Sequence, residues 1–245
     1  MVLLSVVIPA YNEERRIGKT ISRVHSYFLK RGTSHEIILV DDGSTDNTGK
    51  IAQQAGKLIN KFRLVTHDTN LGKGAAVRSG VREARGDWIL FTDCDLSVPI
   101  EEFEKLWSTA KVGYDVVIGS RIRGARIRRD QGVVRRTLGK LFRWLVRLLV
   151  LGGVSDSQCG FKLFTRGIGQ RAFAQVQTDG ALFDIEFLLA AKRLGARTLE
   201  VPVIWEHNPQ TRIPYSFLSS IEVFWELCRI TYHWRITQNF SASNS

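Results

Sequence analysis

The sequence predicts an α/β fold, a mostly parallel central sheet with helices on both faces. Short apolar runs, each too brief for an independent helix, read as buried strands. Each is followed by a segment whose apolar residues recur at three- and four-residue steps, and this alternation occurs four times within the first 120 residues. The runs are continuously apolar instead of alternating, as in strands buried on both faces of a parallel sheet.

Leu3 to Ile8 is the first such run and is ended by Pro9. After Ala10-Tyr11-Asn12-Glu13-Glu14, Ile17, Ile21, Val24 and Phe28 line one face of a helix that Gly32 stops. Glu36 to Val40 is the second strand; Asp41-Asp42-Gly43-Ser44-Thr45-Asp46 then turns the chain into a helix reaching about Asn60. Arg63 to Thr66 reads as a third strand. The glycine-rich Asn70-Leu71-Gly72-Lys73-Gly74-Ala75 opens a helix with Val77, Val81 and Ala84 inward. Glycines there either let backbone amides approach a phosphate, with Lys73 adding positive charge, or are simply turn chemistry.

Residues 88 to 92 form the central strand, which ends in Asp93-Cys94-Asp95-Leu96-Ser97. Two carboxylates at the carboxyl end of a parallel strand stand where open α/β sheets bind ligands. As hard oxygen ligands they suit Mg²⁺ or Mn²⁺ carrying substrate phosphates. Pro99 then starts a helix with Phe103, Leu106, Trp107 and Ala110 inward, and Asp115 to Gly119 is another buried strand. Further on, the polar turn from Asp156 leads into a strand ending near Phe164, a helix surrounds Phe183 to Phe187, and Thr198 to Trp205 alternates with Leu199, Val201 and Val203 on one side. A last helix, about Tyr215 to Trp234, carries Phe217, Leu218, Ile221, Phe224, Trp225 and Cys228 on one stripe. Residues 1–237 are expected to form a single domain and 238–245 a flexible tail.

The 35 Lys and Arg against 24 Asp and Glu give a net charge of +11, which implies an anionic partner. The excess is concentrated. Arg121, Arg123, Arg126, Arg128, Arg129, Arg135 and Arg136 meet one acid, Asp130, and over residues 133–151 Arg136, Lys140, Arg143 and Arg147 fall on one face of an otherwise apolar helix. Such a helix is expected to lie in a membrane interface, the alternative being a core helix with one solvated basic face. Cys94, Cys159 and Cys228 lack metal-like spacing and point to a reducing compartment. With no basic leader ahead of the first strand and no window of 18 uncharged apolar residues, the chain is expected to be neither exported nor membrane-spanning.

Taken together, Val7-Ile8-Pro9-Ala10-Tyr11-Asn12-Glu13, Val40-Asp41-Asp42-Gly43-Ser44-Thr45-Asp46, Asn70-Leu71-Gly72-Lys73-Gly74 and Thr92-Asp93-Cys94-Asp95 resemble the family 2 glycosyltransferases, whose fold is called GT-A. The resemblance continues through Gly119-Ser120-Arg121 and Asp156 to Phe164. It looks most like the polyprenyl-phosphate sugar synthases, and Gln158-Cys159-Gly160-Phe161-Lys162-Leu163-Phe164 looks like the dolichyl-phosphate β-glucosyltransferase branch in place of the mannosyl branch.

This resemblance implies that Pro9, Tyr11 and Glu13 border the nucleotide base and ribose with Val40 and Asp42 beside them. Asp93 and Asp95 are the acids near ribose and metal, with Asp95 the direct ligand of a Mg²⁺ or Mn²⁺ ion and Ser97 completing its shell. Arg121 meets the acceptor phosphate or donor diphosphate, and Arg212 ends the loop after the late strand. Glu206 stands where mannosyl relatives carry an arginine, and Cys94 replaces the usual alanine between the acids.

The expected chemistry is inverting displacement at a sugar carbon, with a nucleoside diphosphate leaving. A metal at Asp95 together with Lys73 or an arginine lowers the barrier electrostatically. A lipid monophosphate needs no general base because its second pKa is near ~6; it needs cations, and Arg121, Arg135 and Arg136 precede the basic helix. Transfer of glucose from UDP-glucose to a polyprenyl or dolichyl phosphate at the cytoplasmic face of a membrane is therefore expected, with peripheral attachment or a separate membrane subunit. Two alternatives stay open. One is a family 2 transferase acting on a saccharide or protein hydroxyl, with Asp184 or Glu186 as base; the other is a non-catalytic nucleic-acid binder using residues 121–136, which is disfavoured because acids at three strand ends repel phosphate.

Overall fold

Strand β1 (Leu4–Ala10) is buried along its whole length, and its apolar side chains suit its place in the interior of a seven-stranded sheet. The structure is a computed structural model that describes residues 3–121, 154–206 and 225–234. Around β1 the chain lays down α1 (Ile17–Lys30), β2 (His35–Asp41), α2 (Thr48–Gly56), β3 (Phe62–Thr66), α3 (Lys73–Glu83), β4 (Trp88–Thr92), α4 (Phe103–Ala110) and β5 (Val116–Ser120). Then come β6 (Phe161–Thr165), α5 (Arg166–Phe173), α6 (Phe183–Arg193), β7 (Thr198–Pro202) and, at residues 225–234, helix α7.

The strand order is β3-β2-β1-β4-β6-β5-β7. All neighbouring pairs are parallel except those of β6, which runs antiparallel to both β4 and β5. Parallel pairing brings the carboxyl ends of β1, β2, β4 and β5 to one edge, and the reversed β6 brings its amino end there too, with Phe161 opposite Thr92. Acid-rich strand ends far apart in sequence thus share one rim.

Helices α1, α2 and α4 cover one face; α3, α5 and α6 cover the other. The inward stripes match the periodicity: Ile17, Ile21, Val24 and Phe28 have no exposed surface, nor do Val77 and Val81. Aromatic rings from both layers interlock, Phe28 edge-on to Phe103 and Phe173 stacked on Phe187.

Several expectations need correction. Strand β1 does not end at Pro9, which sits in register opposite Val40. The Ala10 carbonyl accepts from the Asp42 amide on the β2 side, so Pro9 turns its missing N–H toward β4, whose ladder with β1 has already ended at Val7 and Phe91. Helix α5 was not anticipated. On β7, Val201 is buried but Leu199 is exposed, because β7 is an edge strand, and Val203, just past its end, is buried as well. On α7 the inward residues are Leu227, Ile230 and Trp234, whereas Trp225 is 67% exposed. The basic helix expected at 133–151, Arg135 and Arg136, the loop with Arg212, the stripe from Phe217 to Phe224 and the tail 238–245 lie outside the described residues. Among the described residues no helix is long and apolar enough to cross a membrane.

Candidate active site

The loops after β1 and β2 are laced together at the rim. Asn12, in the left-handed region at φ 55°, accepts from the Thr45 amide through its side chain and donates its own amide to the Ser44 hydroxyl at 2.9 Å. The Glu13 amide donates to Thr48 Oγ1 at 2.7 Å, and the Glu13 carboxylate pairs with Arg16 at 2.7 Å. Tyr11 emerges from this knot 43% exposed, while Pro9 is buried and Val40, wholly buried, packs in the core between β1 and β3.

Asp42, 3% exposed, is committed to the protein itself. Its carboxylate accepts from the amides of Leu71 at 3.0 Å and Gly72 at 2.9 Å, and lies 2.7 Å from His67 Nδ1. The Gly74 amide donates to the Asp179 carbonyl at 2.7 Å. A Cβ at Gly72, whose φ is 103°, would lie 2.4 Å from the same carbonyl oxygen. Of the two readings of this glycine loop, close backbone packing is the observed one: three of its amides are bonded within the protein. The loop fixes where Lys73, the first residue of α3, stands.

Lys73 reaches across to β4 and pairs with Asp93 Oδ1 at 2.6 Å. Burial by itself would lower the pKa of its ammonium, but the carboxylates of Asp93, Asp184 and Asp95 outweigh that and hold it above the ordinary value. The Asp93 amide donates to the Gly160 carbonyl, and a Cβ at Gly160 would lie 2.0 Å from Asp93 Oδ2, so glycine is what leaves room for this carboxylate. Asp95 accepts from the Ser97 amide at 2.9 Å and the Ser97 hydroxyl at 2.7 Å. Between them Leu96 has φ 46°, a strained conformation for a branched apolar residue, of the kind that gathers at functional turns. The loop is braced by the segment after β7, where the Glu206 amide donates to the Ser97 carbonyl at 2.8 Å. Cys94 is 5% exposed, and its carbonyl accepts from Thr20 Oγ1 at 2.7 Å.

Arg121, at the end of β5, forms a bidentate pair with Asp156, Nε to Oδ2 at 2.8 Å and Nη2 to Oδ1 at 2.7 Å, and its guanidinium stands 5.9 Å from the Trp205 ring centre. Burial alone would lower its pKa; Asp156 above all, and Asp93 as well, raise it, so the group stays cationic and feels the Asp93 carboxylate that follows β4. Glu200 of β7 holds the Asp156 amide at 2.6 Å.

Two further residues complete the cluster. Lys162 and Asp184 form an ion pair with side chains 1% and 4% exposed, and Lys162 also donates to the Cys159 carbonyl at 2.6 Å. Burial raises the Asp184 pKa, an effect Lys162 and Lys73 oppose and Asp93 reinforces; the carboxyl remains above its ordinary range. Glu186 accepts from the amides of Gln177 and Thr178 and from Trp234 Nε1, tying α6 to α7. Lys162 stands within the Gln158–Phe164 motif but carried no role of its own in the sequence reading; the signal for one was a lysine in an otherwise apolar strand, between Phe161 and Leu163.

Among the described residues no group of three or more His, Cys, Asp or Glu side chains forms a metal cage. The donors at the rim are hard oxygens, the carboxylates of Asp93 and Asp95 and the Ser97 hydroxyl. An incomplete oxygen shell fits a cation that keeps waters and takes ligands from a substrate phosphate, as Mg²⁺ and Mn²⁺ do.

A sheet of this order with paired acids at its mouth is the framework of a GT-A transferase. The model of glycosyl transferase family 2 matches residues 5–171, and the chain belongs to that family and is a glycosyltransferase. It is similar to the dolichyl-phosphate beta-glucosyltransferase of Homo sapiens, 34% identical over 96% of this chain and 78% of that one. With the dolichyl-phosphate beta-glucosyltransferase of Saccharomyces cerevisiae it shares 36% identity over 83% of this chain and 67% of that one. The glucosyl-3-phosphoglycerate synthase of Mycobacterium tuberculosis, solved with Mn²⁺, UDP and phosphoglyceric acid, has the same fold, with TM-score 0.68 and 24% identity over 94% of this chain and 78% of that one.

Proposed function

We propose that this chain transfers glucose from UDP-glucose to a polyprenyl or dolichyl monophosphate, with inversion at the sugar carbon, at the cytoplasmic face of a membrane to which it attaches peripherally or through a separate membrane subunit. The relatives it resembles over nearly its whole length are dolichyl-phosphate glucosyltransferases, which supports the donor sugar and the acceptor class.

The observation that carries the acceptor class is the state of the two carboxylates that could serve as a base. Glu186 is held by three donors, and Asp184 is sealed against the Lys162 ammonium. Neither is free to take a proton from a hydroxyl. A lipid phosphate arrives already anionic and needs only to be held in line. Arg121, fixed by Asp156 and still 30% open, suits that task.

On the donor side, Tyr11 and the loop of Asn12 and Glu13 border the base and ribose, and Asp42 keeps the loop before Lys73 in place. Asp95, with Asp93 and Ser97, would hold a Mg²⁺ or Mn²⁺ ion, which supplies positive charge opposite the departing diphosphate. Lys73 adds a second positive charge on the same side.

The test is transfer of labelled glucose from UDP-glucose into an organic-extractable product. Polyprenyl phosphate should be glucosylated in the presence of Mg²⁺ or Mn²⁺, whereas the same lipid as its free alcohol should not. Equal transfer to the alcohol would refute the acceptor assignment.

A further inference from the structure

Two ammonium groups flank the Phe91 ring, Lys73 at 5.4 Å and Lys162 at 5.6 Å from its centre, and each has an aspartate partner. Their accessibility separates them. The Lys162–Asp184 pair is sealed, whereas Lys73 and Asp93 keep 41% and 33% of their side-chain surface open to solvent. The sealed pair has no route for exchanging partners; the open one does. Lys73 is also the first residue of α3, where the positive end of the helix dipole disfavours a cation unless an anion stands close. In the free protein that anion is Asp93, one of the two carboxylates offered to a divalent ion.

We propose that Lys73 is a cation held in reserve: it neutralises Asp93 in the free enzyme and passes to the donor diphosphate when a divalent ion takes the aspartate pair, so that ammonium and metal compete for the same acids. This rests on the donor and metal assignments above. It adds an order to binding. The metal alone must displace or repel Lys73 and therefore binds weakly, while metal and diphosphate together give Lys73 a new partner and bind with synergy. It also gives the free site a reason to tolerate Asp93 and Asp95 one residue apart, because an ammonium offsets their mutual repulsion until a dication does so.

The experiment measures Mn²⁺ affinity without nucleotide, from the electron paramagnetic resonance signal of free Mn²⁺, and UDP affinity at saturating Mn²⁺ by calorimetry. Wild type, Lys73→Gln, Lys73→Arg and Lys111→Gln are compared, each checked by thermal melting. Lys111 is exposed and follows the end of α4, at the opposite edge of the sheet, so its loss removes the same net charge away from the acids. Removing one positive charge beside a dication site should tighten Mn²⁺ binding by Lys73→Gln on the order of tenfold. Lys73→Arg and Lys111→Gln should stay near wild type. UDP should bind Lys73→Gln more weakly by a similar factor. Unchanged Mn²⁺ affinity in Lys73→Gln alongside weakened UDP makes Lys73 an ordinary donor contact and overturns the exchange, as does unchanged UDP affinity. Wild type binding neither Mn²⁺ nor UDP overturns the donor and metal assignments themselves.

Discussion

Gly160→Ala adds one methyl group where the site has no space for it. The new Cβ would lie 2.0 Å from Asp93 Oδ2 and 2.3 Å from its Cγ, so the carboxylate must retreat by about 1 Å to reach even the shortest tolerable contact. Gly160 does not have a positive φ, so the backbone itself accepts alanine and β6 should form as before. The displacement falls on Asp93 and, through its 2.6 Å ion pair, on Lys73. A misplacement of this size at a reacting centre costs on the order of 100-fold in rate. The assay is kcat/KM for glucose transfer from UDP-glucose to polyprenyl phosphate, with a thermal melt alongside. A loss near that size with Tm close to wild type is expected. Activity within about threefold of wild type would refute the reasoning, because Asp93 would then not need the position that Gly160 reserves for it.

Three further outcomes follow from the buried chemistry. Lys162→Met or Asp184→Leu alone should lower stability by about 3–5 kcal/mol, since each leaves an uncompensated charge in the core, while the double variant should recover most of the loss in a denaturant titration. The Cys159 thiol is pushed up to about 12, chiefly by burial with the nearby Asp156 charge assisting, and Cys94 is raised by burial too. Native alkylation near pH 8 should therefore spare Cys94 and Cys159 and modify Cys228, which is only partly buried, as mass spectrometry would read. Since a thiol raised in the folded state keeps a proton that the unfolded chain loses, stability should fall as pH climbs past the ordinary thiol value of 9.0.

Much of the framework could be read from the sequence because strand burial and helix periodicity are local properties. The runs at β1, β2 and β4 and the stripe Ile17, Ile21, Val24 and Phe28 all appear as the periods require. What is set by pairing was not legible. The reversed direction of β6 depends on which strands it meets, and an apolar run carries no arrow. Helix α5 holds Gly167 and Gly169, which weaken a helical pattern; Gly169 is there because a Cβ would lie 2.5 Å from the Phe164 ring.

The same division holds at the site. Asp93, Asp95 and Lys73 stand in short motifs and could be named in advance, whereas their partners are remote. Arg121 meets Asp156, and Lys162 meets Asp184, only because the sheet order brings β5, β6 and α6 to one end. The glycines around Lys73 read equally well as a phosphate cradle or as packing. What decides for packing is the backbone of residues 178–179, roughly a hundred residues downstream, which occupies the space they leave.

The proposed role of the aspartates at the mouth of the sheet is to hold the cation of a nucleotide-sugar donor. Its most direct test is a crystal of the enzyme grown with Mn²⁺ and UDP, with anomalous data collected at the manganese edge. A single strong peak in contact with the Asp95 carboxylate and a UDP phosphate oxygen is expected, with Lys73 drawn off Asp93 toward the diphosphate. A bound UDP with no peak beside Asp95, or a peak at some other set of side chains, would contradict it.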